Sequence, residues 1–492
     1  MNKTSLALSA SAIAMLLAGS ANAGTLWIAR LSQANENPPT GAPFTGTGFL
    51  VLNDAETTAT ITATHNITLP LTGGHIHRGT ATVNGPVIFP FPIPSSPVGP
   101  LVWAIPAADV VNLKTQGLYM NFHTAVNPGG AIRDTLNRFL MAPSATSASQ
   151  LAVANALDVS AGFTGELDSF LMAEAVAAAS TRSQALEDLT FRTSQSDGRQ
   201  AVETMSGFGD ALFDHAAAAG KGDGVGVFAA ASDTFGKRDG GTGDAGSKST
   251  RPSILVGIDN SWGAATAGFA IGLADGRDKF DGNIGETEAK TTSLEAFLAV
   301  HGDKVVATFA GGYGWNQFST SRNLASLGRS ATSSHDGQTW SAAVKVSAPM
   351  DVGKDVALAP YAIYDAQEAT IDGYSEGGAG AFGLIVPGRT IRSSSLEGGA
   401  AVVMPAGGLT ARLQAGWRYR INDGSDAFVT SLEGSPVAFL TSVDSRDRSA
   451  AHITGSLTGT LAPNLYVSGT YRGLIGAHAN AQTVELRLTY RM

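Results

Sequence analysis

Three histidines in the first quarter of the chain have the spacing of a transition-metal site. His75 and His77 lie two residues apart in a segment typical of a β-strand, so their side chains face the same side of a sheet, about 7 Å apart. His123 lies in another strand-like segment of the same region. Three imidazoles with one open coordination position suit Cu or Zn. The alternative is that the histidines hydrogen-bond to loops and only stabilise the fold.

A redox activity is the more specific form of the metal hypothesis. The His-x-His spacing resembles a strand of the copper–zinc superoxide dismutases at the level of the fold, which implies a dismutase-like site. Arg78 or Arg133 could draw anions toward the metal. Such sites usually hold a fourth histidine, and the remaining one here is His65. It shares strand parity with apolar residues, so we expect it to face the core.

The histidines belong to a region, residues 24–142, that has the pattern of short β-strands separated by turns. Proline, glycine and asparagine mark the turns, most clearly at residues 84–86 and 127–130. This pattern predicts an antiparallel β-sandwich. The strand candidates are Phe49–Leu52, Thr58–Ile67, Leu101–Ile105, Leu118–Thr124 and Ile132–Phe139.

An ordered set of short motifs in this region resembles a known family. The motifs are Glu36-Asn37-Pro38-Pro39, His75-Ile76-His77-Arg78-Gly79, Asn84-Gly85-Pro86-Val87, Asn121-Phe122-His123-Thr124 and the run from Asn127 to Arg133. Together they resemble the CHRD domain, a repeat first recognised in chordin and found also in bacterial secreted proteins. The resemblance covers most of residues 25–141, and it implies a fold and a secreted location rather than a defined activity.

Composition points to an exported membrane protein. Of 492 residues only 15% are charged, 59 are glycine and none is cysteine, and the formal net charge of −9 argues against a nucleic-acid partner. Residues 1–23 combine Lys3, an apolar run and Ala21-Asn22-Ala23, which predicts a secretory signal peptide. No apolar run long enough for a transmembrane helix follows, so we expect any membrane span to consist of strands.

Residues 143–222 change in composition to alanine, leucine, glutamate and glutamine, which predicts a linker followed by helices. A span about 30 Å long takes roughly 20 helical residues, so the last helix could thread a barrel. The alternative is an alanine-rich coil without a defined packing partner. The helical segments are Leu151–Ala156, Leu167–Ala179, Gln184–Arg192 and Gln200–Ala219.

Residues 223–492 have the alternation of a transmembrane β-barrel. In the last eleven residues Val484, Leu486 and Leu488 share one face while Glu485 and Arg487 share the other, the apolar-out and polar-in pattern of a closing strand. Twelve such runs predict a 12-stranded barrel. They begin near Val225, Pro252, Ala265, Glu286, Lys304, Gln338, Val356, Thr390, Leu409, Ala450, Leu465 and Gln482.

Connection lengths predict the orientation of the barrel. Long polar connections at residues 236–251, 275–285, 319–337 and 372–388 follow odd-numbered runs, whereas even-numbered runs end in tight turns. Outer-membrane barrels have long loops outside and short turns in the periplasm, so both chain ends of the barrel are expected in the periplasm. Inward-facing arginines could contact the threaded helix or line water, and the sequence favours neither. They are Arg412, Arg418, Arg420, Arg472 and Arg487.

A helical linker followed by a 12-stranded C-terminal barrel resembles the autotransporter β-domain, the translocator of type V secretion, over about residues 148–492. The resemblance implies an outer-membrane protein of a Gram-negative bacterium that displays residues 24–142, the passenger, at the cell surface for binding or adhesion. Its expected partners are outer-membrane lipids, the outer-membrane assembly machinery and an extracellular ligand. Alternatives are a surface metal-binding, redox-active passenger and an outer-membrane pore.

Two glycine-rich patterns could suggest an enzyme. Residues 373–377 match a nucleophile elbow and residues 241–246 a dinucleotide-binding loop, but neither lies in the strand–turn–helix or βαβ context that its chemistry needs. No catalytic residue is predicted.

Overall fold

The computed structural model describes residues 24–190, 196–219, 223–240, 245–353, 355–423, 427–442 and 447–492. The predicted signal peptide, residues 1–23, and the predicted end of the third helix at Arg192 lie outside this range. The chain forms two compact units. One comprises residues up to 190 with 379–384 and 429–441, and the other comprises the rest.

The N-terminal region folds as one antiparallel, sandwich-like sheet, which confirms the predicted fold. Its strands follow the order β5-β4-β7-β8-β1-β2-β3-β6, with β9 paired to β1. Alternate residues such as Leu50, Ile61, Ile76, Met120 and Phe122 are fully buried in one core. The strands are β1 (Thr25–Ser32), β2 (Thr45–Leu52), β3 (Ala59–His65), β4 (Leu71–Arg78), β5 (Val87–Pro90), β6 (Val98–Trp103), β7 (Leu118–Thr124), β8 (Ile132–Thr135) and β9 (Asn137–Arg138).

Five α-helices lie in the described residues, and the first of them was not predicted. The bounds are α1 (Ala107–Lys114), α2 (Ala148–Leu157), α3 (Gly165–Val176), α4 (Ala179–Asp188) and α5 (Ser196–Ala219). The helix predicted over residues 167–179 forms but ends at Val176, because Ala177 and Ala178 are extended. The Arg182 side chain donates to the carbonyl of Ala177 at 2.6 Å, which stabilises the break.

The C-terminal region forms a closed antiparallel barrel of twelve strands, as predicted. Closure comes from pairing of the first and last strands, from Gly226 opposite Arg491 to Arg238 opposite Ala479. The barrel strands are β10 (Gly224–Arg238), β11 (Ser247–Trp262), β12 (Ala265–Phe280), β13 (Gly285–His301), β14 (Val306–Leu324), β15 (Arg329–Ser347), β17 (Val356–Ile371), β20 (Arg389–Ala406), β21 (Leu409–Asp423), β24 (Ser449–Ala462), β25 (Leu465–Gly476) and β26 (Ala479–Arg491). Short strands in the connections are β16 (Met350–Gly353), β18 (Tyr374–Ser375), β19 (Leu384–Val386), β22 (Ala427–Leu432) and β23 (Ala438–Ser442).

The closing strand β26 shows why the alternation identifies a barrel. Leu486 is 57% exposed on the outer face, whereas its neighbours Glu485 and Arg487 are each 3% exposed and face the lumen. Only a barrel with an apolar exterior and an occupied polar interior gives this inversion of the usual burial.

Three of the four long connections were predicted wrongly in length. Residues 275–285 and 319–337 are mostly strand, and the loops themselves are only 281–284 and 325–328. In the connection predicted at 236–251, strand β10 extends to Arg238 and β11 begins at Ser247. Polar residues pair across these strand ends, as where Arg277 donates to Glu286 at 2.6 Å, so the strands continue past the apolar band. The long connections that follow β17 and β21 start from this same end of the barrel, and turns at 263–264, 407–408 and 463–464 lie at the other.

Candidate functional site

Helix α5 lies inside the barrel and packs its apolar face on one wall of the lumen. Met205, Phe208, Leu212 and Phe213 are at most 3% exposed, and they form a single core cluster with inward residues of β10–β17. Glycine makes this approach possible, because a Cβ at Gly272 would come within 2.7 Å of the Phe208 ring. The wall and the helix are therefore complementary in shape as well as in polarity.

The opposite face of α5 is acidic and meets a wall of arginines. Asp214 accepts from Arg472 at 2.6 and 3.1 Å, and Arg472 also donates to Glu485 at 2.9 Å. One turn earlier, Asp210 lies 3.8 Å from Arg418. Long guanidinium side chains thus bridge the lumen from β21 and β25 to the helix.

The structure separates the five inward arginines whose role the sequence left open. Arg418 and Arg472 pair with carboxylates of the helix, and Arg487 donates to the carbonyl of Ala211 at 3.0 Å. By contrast, Arg420 donates to the carbonyl of Asp447 and Arg412 to Gln414, both within the barrel. The acidic partners were missed, although their spacing at 203, 210 and 214 places them on one helical face.

The direction of α5 follows from its contacts at each end. At its start Asp197 pairs with Arg389, the first residue of β20, and accepts a hydrogen bond from His335 near the loop end of β15. Near its end His215 hydrogen-bonds Asp259, close to the turn end of β11, at 2.8 Å. The helix therefore begins at the end of the barrel with the long loops and ends at the end with the tight turns.

The passenger brings the three predicted histidines together on one face of its sheet. Strands β4 and β7 pair so that Gly73 lies opposite His123 and His77 lies opposite Tyr119. Each ring offers a nitrogen within 4.8 Å of those of the other two, and ring centroids are 5.0–5.6 Å apart. Gly73 leaves the space for this arrangement, because a Cβ there would come within 2.5 Å of the His75 ring.

Two of the histidines are held by backbone carbonyls through Nδ1. His77 hydrogen-bonds the carbonyl of Gly85 at 3.0 Å and His123 that of Pro128 at 3.1 Å. A carbonyl only accepts, so Nδ1 of each ring carries the proton and Nε2 has a free lone pair. Both Nε2 atoms and Nδ1 of His75 are buried and have no hydrogen-bond partner among the described residues. Each such atom costs about 1–3 kcal/mol unless something satisfies it.

Burial keeps the histidine cluster uncharged at neutral pH. It lowers the pKa of His75 and His77, and it lowers the pKa of His123 to about 4. The neighbouring rings lower the pKa of His75 and His123 further, because two imidazolium ions at this distance would repel. Neutral imidazole is the form that ligates metals.

Arg133, one of the two arginines expected to draw anions toward the cluster, is enclosed by the protein. Its side chain is 1% exposed and donates to the carbonyls of Asn35 and Ala81 and to Asn84, which ties two loops together. Its guanidinium lies 4.5 Å from the centre of the Tyr119 ring, which in turn stacks on His77 at 4.8 Å. Arg133 is thus a support behind the cluster and is not open to solvent.

Two further predicted residues lie away from the cluster. Arg78 donates to Asp109 of α1 at 2.6 Å. His65 packs on Phe122, a core residue, with ring centroids 4.7 Å apart. The three clustered histidines share strand parity with Tyr119 and not with Phe122, so His65 lies on the other face of the sheet and is no fourth ligand.

One buried polar pair beside the cluster was missed from the sequence. Glu36 is 5% exposed and Asn121 1% exposed, and the amide of Asn121 hydrogen-bonds the carboxyl. Burial raises the pKa of Glu36 to about 7, although Arg133 and Asn121 lower it. In the sequence, Glu36 stands out only as part of the Glu-Asn-Pro-Pro motif, and the residue types of that motif do not indicate a particular chemical function.

Family comparisons agree with this architecture. A model of the autotransporter beta-domain matches residues 227–472, half of the chain, and a model of the CHRD domain matches residues 27–136. The chain belongs to the autotransporter family. Its passenger is a CHRD domain, so both resemblances seen in the sequence are confirmed. Membership in this family makes the chain an outer-membrane protein.

Solved structures similar to this chain include parts of three autotransporters. The translocator domain of NalP from Neisseria meningitidis is 16% identical, with a TM-score of 0.48, and the match covers 58% of this chain and 97% of that one. The beta domain of Bordetella BrkA is 13% identical (TM-score 0.44; 55% and 100% covered). The transport unit of AIDA-I from Escherichia coli is 13% identical (TM-score 0.38; 55% and 90% covered).

No curated protein matches the autotransporter sequence closely enough to serve as a relative. Within the part of the chain that the structure describes, no helix has the length and apolar character needed to cross a membrane.

Proposed function

We propose that the barrel exports residues 24–142 and anchors them at the cell surface, where they bind an extracellular ligand or adhere. The observation that carries this proposal is the direction of α5. The helix starts at the loop end of the lumen and finishes at the turn end, next to the first barrel strand.

Barrel topology supports the assignment of the loop end to the outside. Outer-membrane barrels place their longer loops outside and their short turns in the periplasm. Helix α5 begins at the loop end of the lumen, so on this proposal the passenger, which precedes the helix in sequence, is outside the cell. Two further features fit an exported passenger: the predicted signal peptide and the absence of cysteine.

Epitope accessibility on intact cells tests this topology. One epitope is inserted between Asp54 and Glu56, in the exposed turn between β2 and β3, and a matched epitope is inserted at Asp303 in a tight turn of the barrel. We expect antibody to label the first on intact cells, and the second only after the outer membrane has been permeabilised.

Protease gives a second readout of the same proposal. Added to intact cells, it should remove the passenger and leave a heat-modifiable barrel fragment. A passenger epitope that stays hidden until the membrane is opened, together with a protease-resistant passenger, would contradict surface display. Adhesion is then measured as binding of cells to a surface, with cells expressing the chain without residues 24–142 as the control.

A further inference from the structure

We propose that His75, His77 and His123 bind one divalent transition-metal ion, Zn²⁺ or Cu²⁺. This goes beyond surface display, since the barrel could export the passenger with or without a metal. The inference starts from three histidines on a single face of the sheet. Each offers a ring nitrogen within 4.8 Å of those of the other two, and each has one buried ring nitrogen without a hydrogen-bond partner among the described residues.

A purely structural role leaves these atoms unsatisfied. Most buried polar atoms find a hydrogen-bond partner, and in this domain His65 satisfies both ring nitrogens, by hydrogen bonds with the carbonyl of Pro94 and the amide of Ile67. In the cluster one nitrogen of His77 and one of His123 are satisfied, and the other has no hydrogen-bond partner among the described residues. His77 is only 7% exposed, so water reaches its Nε2 poorly.

The hydrogen bonds behind the cluster are those of a metal site. A ligating histidine usually donates its second N–H to a backbone carbonyl or carboxylate, which fixes the tautomer and the ring orientation. Gly85, the partner of His77, is itself fixed, because its N–H donates to the Tyr119 hydroxyl at 3.1 Å. Arg133 holds the same loop through Asn84 and Ala81. The free nitrogen of His77 is therefore aimed before any ion binds.

The geometry of the donor set favours a site with an open position. Bonds of about 2.0–2.1 Å to a tetrahedral ion place ligand nitrogens about 3.4 Å apart, a distance that small rotations of partly exposed rings can reach. Three histidines without a thiolate or a carboxylate suit Zn²⁺ and Cu²⁺, and imidazole sites bind Cu²⁺ most tightly of the divalent ions. His75 and His123 are only partly buried, so water or a small anion can occupy the fourth position.

Metal stoichiometry of the full chain tests the proposal. The protein is purified in detergent without a histidine tag, stripped with chelator, loaded with Zn²⁺ or Cu²⁺ and separated from free ion before elemental analysis. We expect about one ion per wild-type chain and a small fraction of that in the His75→Ala, His77→Ala double variant. His65→Ala is the matched control, because it removes a histidine of the same domain from the opposite face, and it should keep the wild-type stoichiometry.

A measurement on the wild-type chain guards against a variant that fails to fold. An ion that binds only the folded passenger raises its melting temperature in proportion to the logarithm of the free-ion concentration. We expect Zn²⁺ to raise the melting temperature of the passenger in the wild type and in the His65→Ala variant. A substoichiometric wild type, equal stoichiometry in wild type and double variant, or a melting temperature that does not respond to the ion would overturn the proposal.

Discussion

Glu36 makes the stability of the passenger depend on pH. Burial raises its pKa from 4.5 to about 7, so the folded chain keeps a proton that the unfolded chain releases above its ordinary pKa. The stability from this proton is complete below the unfolded pKa and is lost as the pH rises through the folded pKa. The relevant window therefore runs from about pH 4.5 to about pH 8.

We predict that Glu36→Gln removes this dependence. The variant should melt close to wild type at about pH 5 and several degrees above wild type at about pH 8, because a neutral amide needs no proton. Calorimetry of the passenger transition gives the comparison. The clustered histidines titrate in both proteins, so the difference between the two pH curves isolates Glu36. Glu56→Gln, an exposed control, should follow wild type, and parallel curves for Glu36→Gln and wild type would contradict the prediction.

The histidine cluster shows what residue patterns can and cannot predict. Strand parity alone places His75 and His77 on the same face. That His123 joins them depends on the register of β4 on β7, which pairs Gly73 with His123 and is set by tertiary packing. The burial of Arg133 was not predicted for a related reason, since a sequence shows a charge but not the loops that enclose it.

At the scale of elements, α5 is held in one rotation by two unlike walls. Its apolar face packs on β10–β17, and its carboxylates face arginines of β21 and β25. Turning the helix by half a turn would bring the aromatic side chains against guanidinium groups and the carboxylates against apolar side chains. The residues that line the lumen therefore determine the rotation of the helix about its axis, as the packing of a hydrophobic core determines the rotamer of a side chain.

We predict that Asp214→Asn weakens this packing by about 2 kcal/mol, because Arg472 loses a charged acceptor but keeps Glu485. The measurement is urea unfolding of the barrel in detergent, followed by its heat-modifiable band on a gel. Glu203→Gln is the matched control, since its carboxylate is 36% exposed and such pairs contribute little. An Asp214→Asn midpoint equal to wild type would show that the ion pair does not hold the helix.

Whether a segment forms a strand or a helix was easier to predict from the sequence than the residues at which it ends. The alternation of apolar and polar residues predicted all twelve barrel strands, because each strand has one face toward the lipid and the other toward the lumen. Their upper ends lie above the apolar band, where residues such as Arg277 and Glu286 are polar on every face and resemble loop residues in sequence. The break between α3 and α4 was predicted too late in the chain, after Ala179, since it occurs within an alanine run that favours a continuous helix.

For the molecule as a whole, the presence of α5 in the lumen determines whether the barrel is a closed anchor or an open pore. With the helix in place the lumen is occupied by apolar packing on one side and by ion pairs on the other. We predict that deleting residues 196–219 raises the conductance of the barrel in planar bilayers sharply. Removing residues 24–142 instead should leave the conductance low, because the helix remains. A similarly high conductance of the full chain and of both deletion variants would favour the outer-membrane pore.

The ion pairs along α5 also determine the depth at which the helix lies along the barrel axis. A shift of one helical turn moves the helix about 5.4 Å along its axis, which would separate Asp214 from Arg472 and Asp197 from Arg389 at the same time. Buried charges without partners are costly, so intermediate depths are unstable. The barrel therefore behaves as a length standard. It fixes the depth at which Ser196 lies, so every copy has the same number of residues between that depth and the passenger.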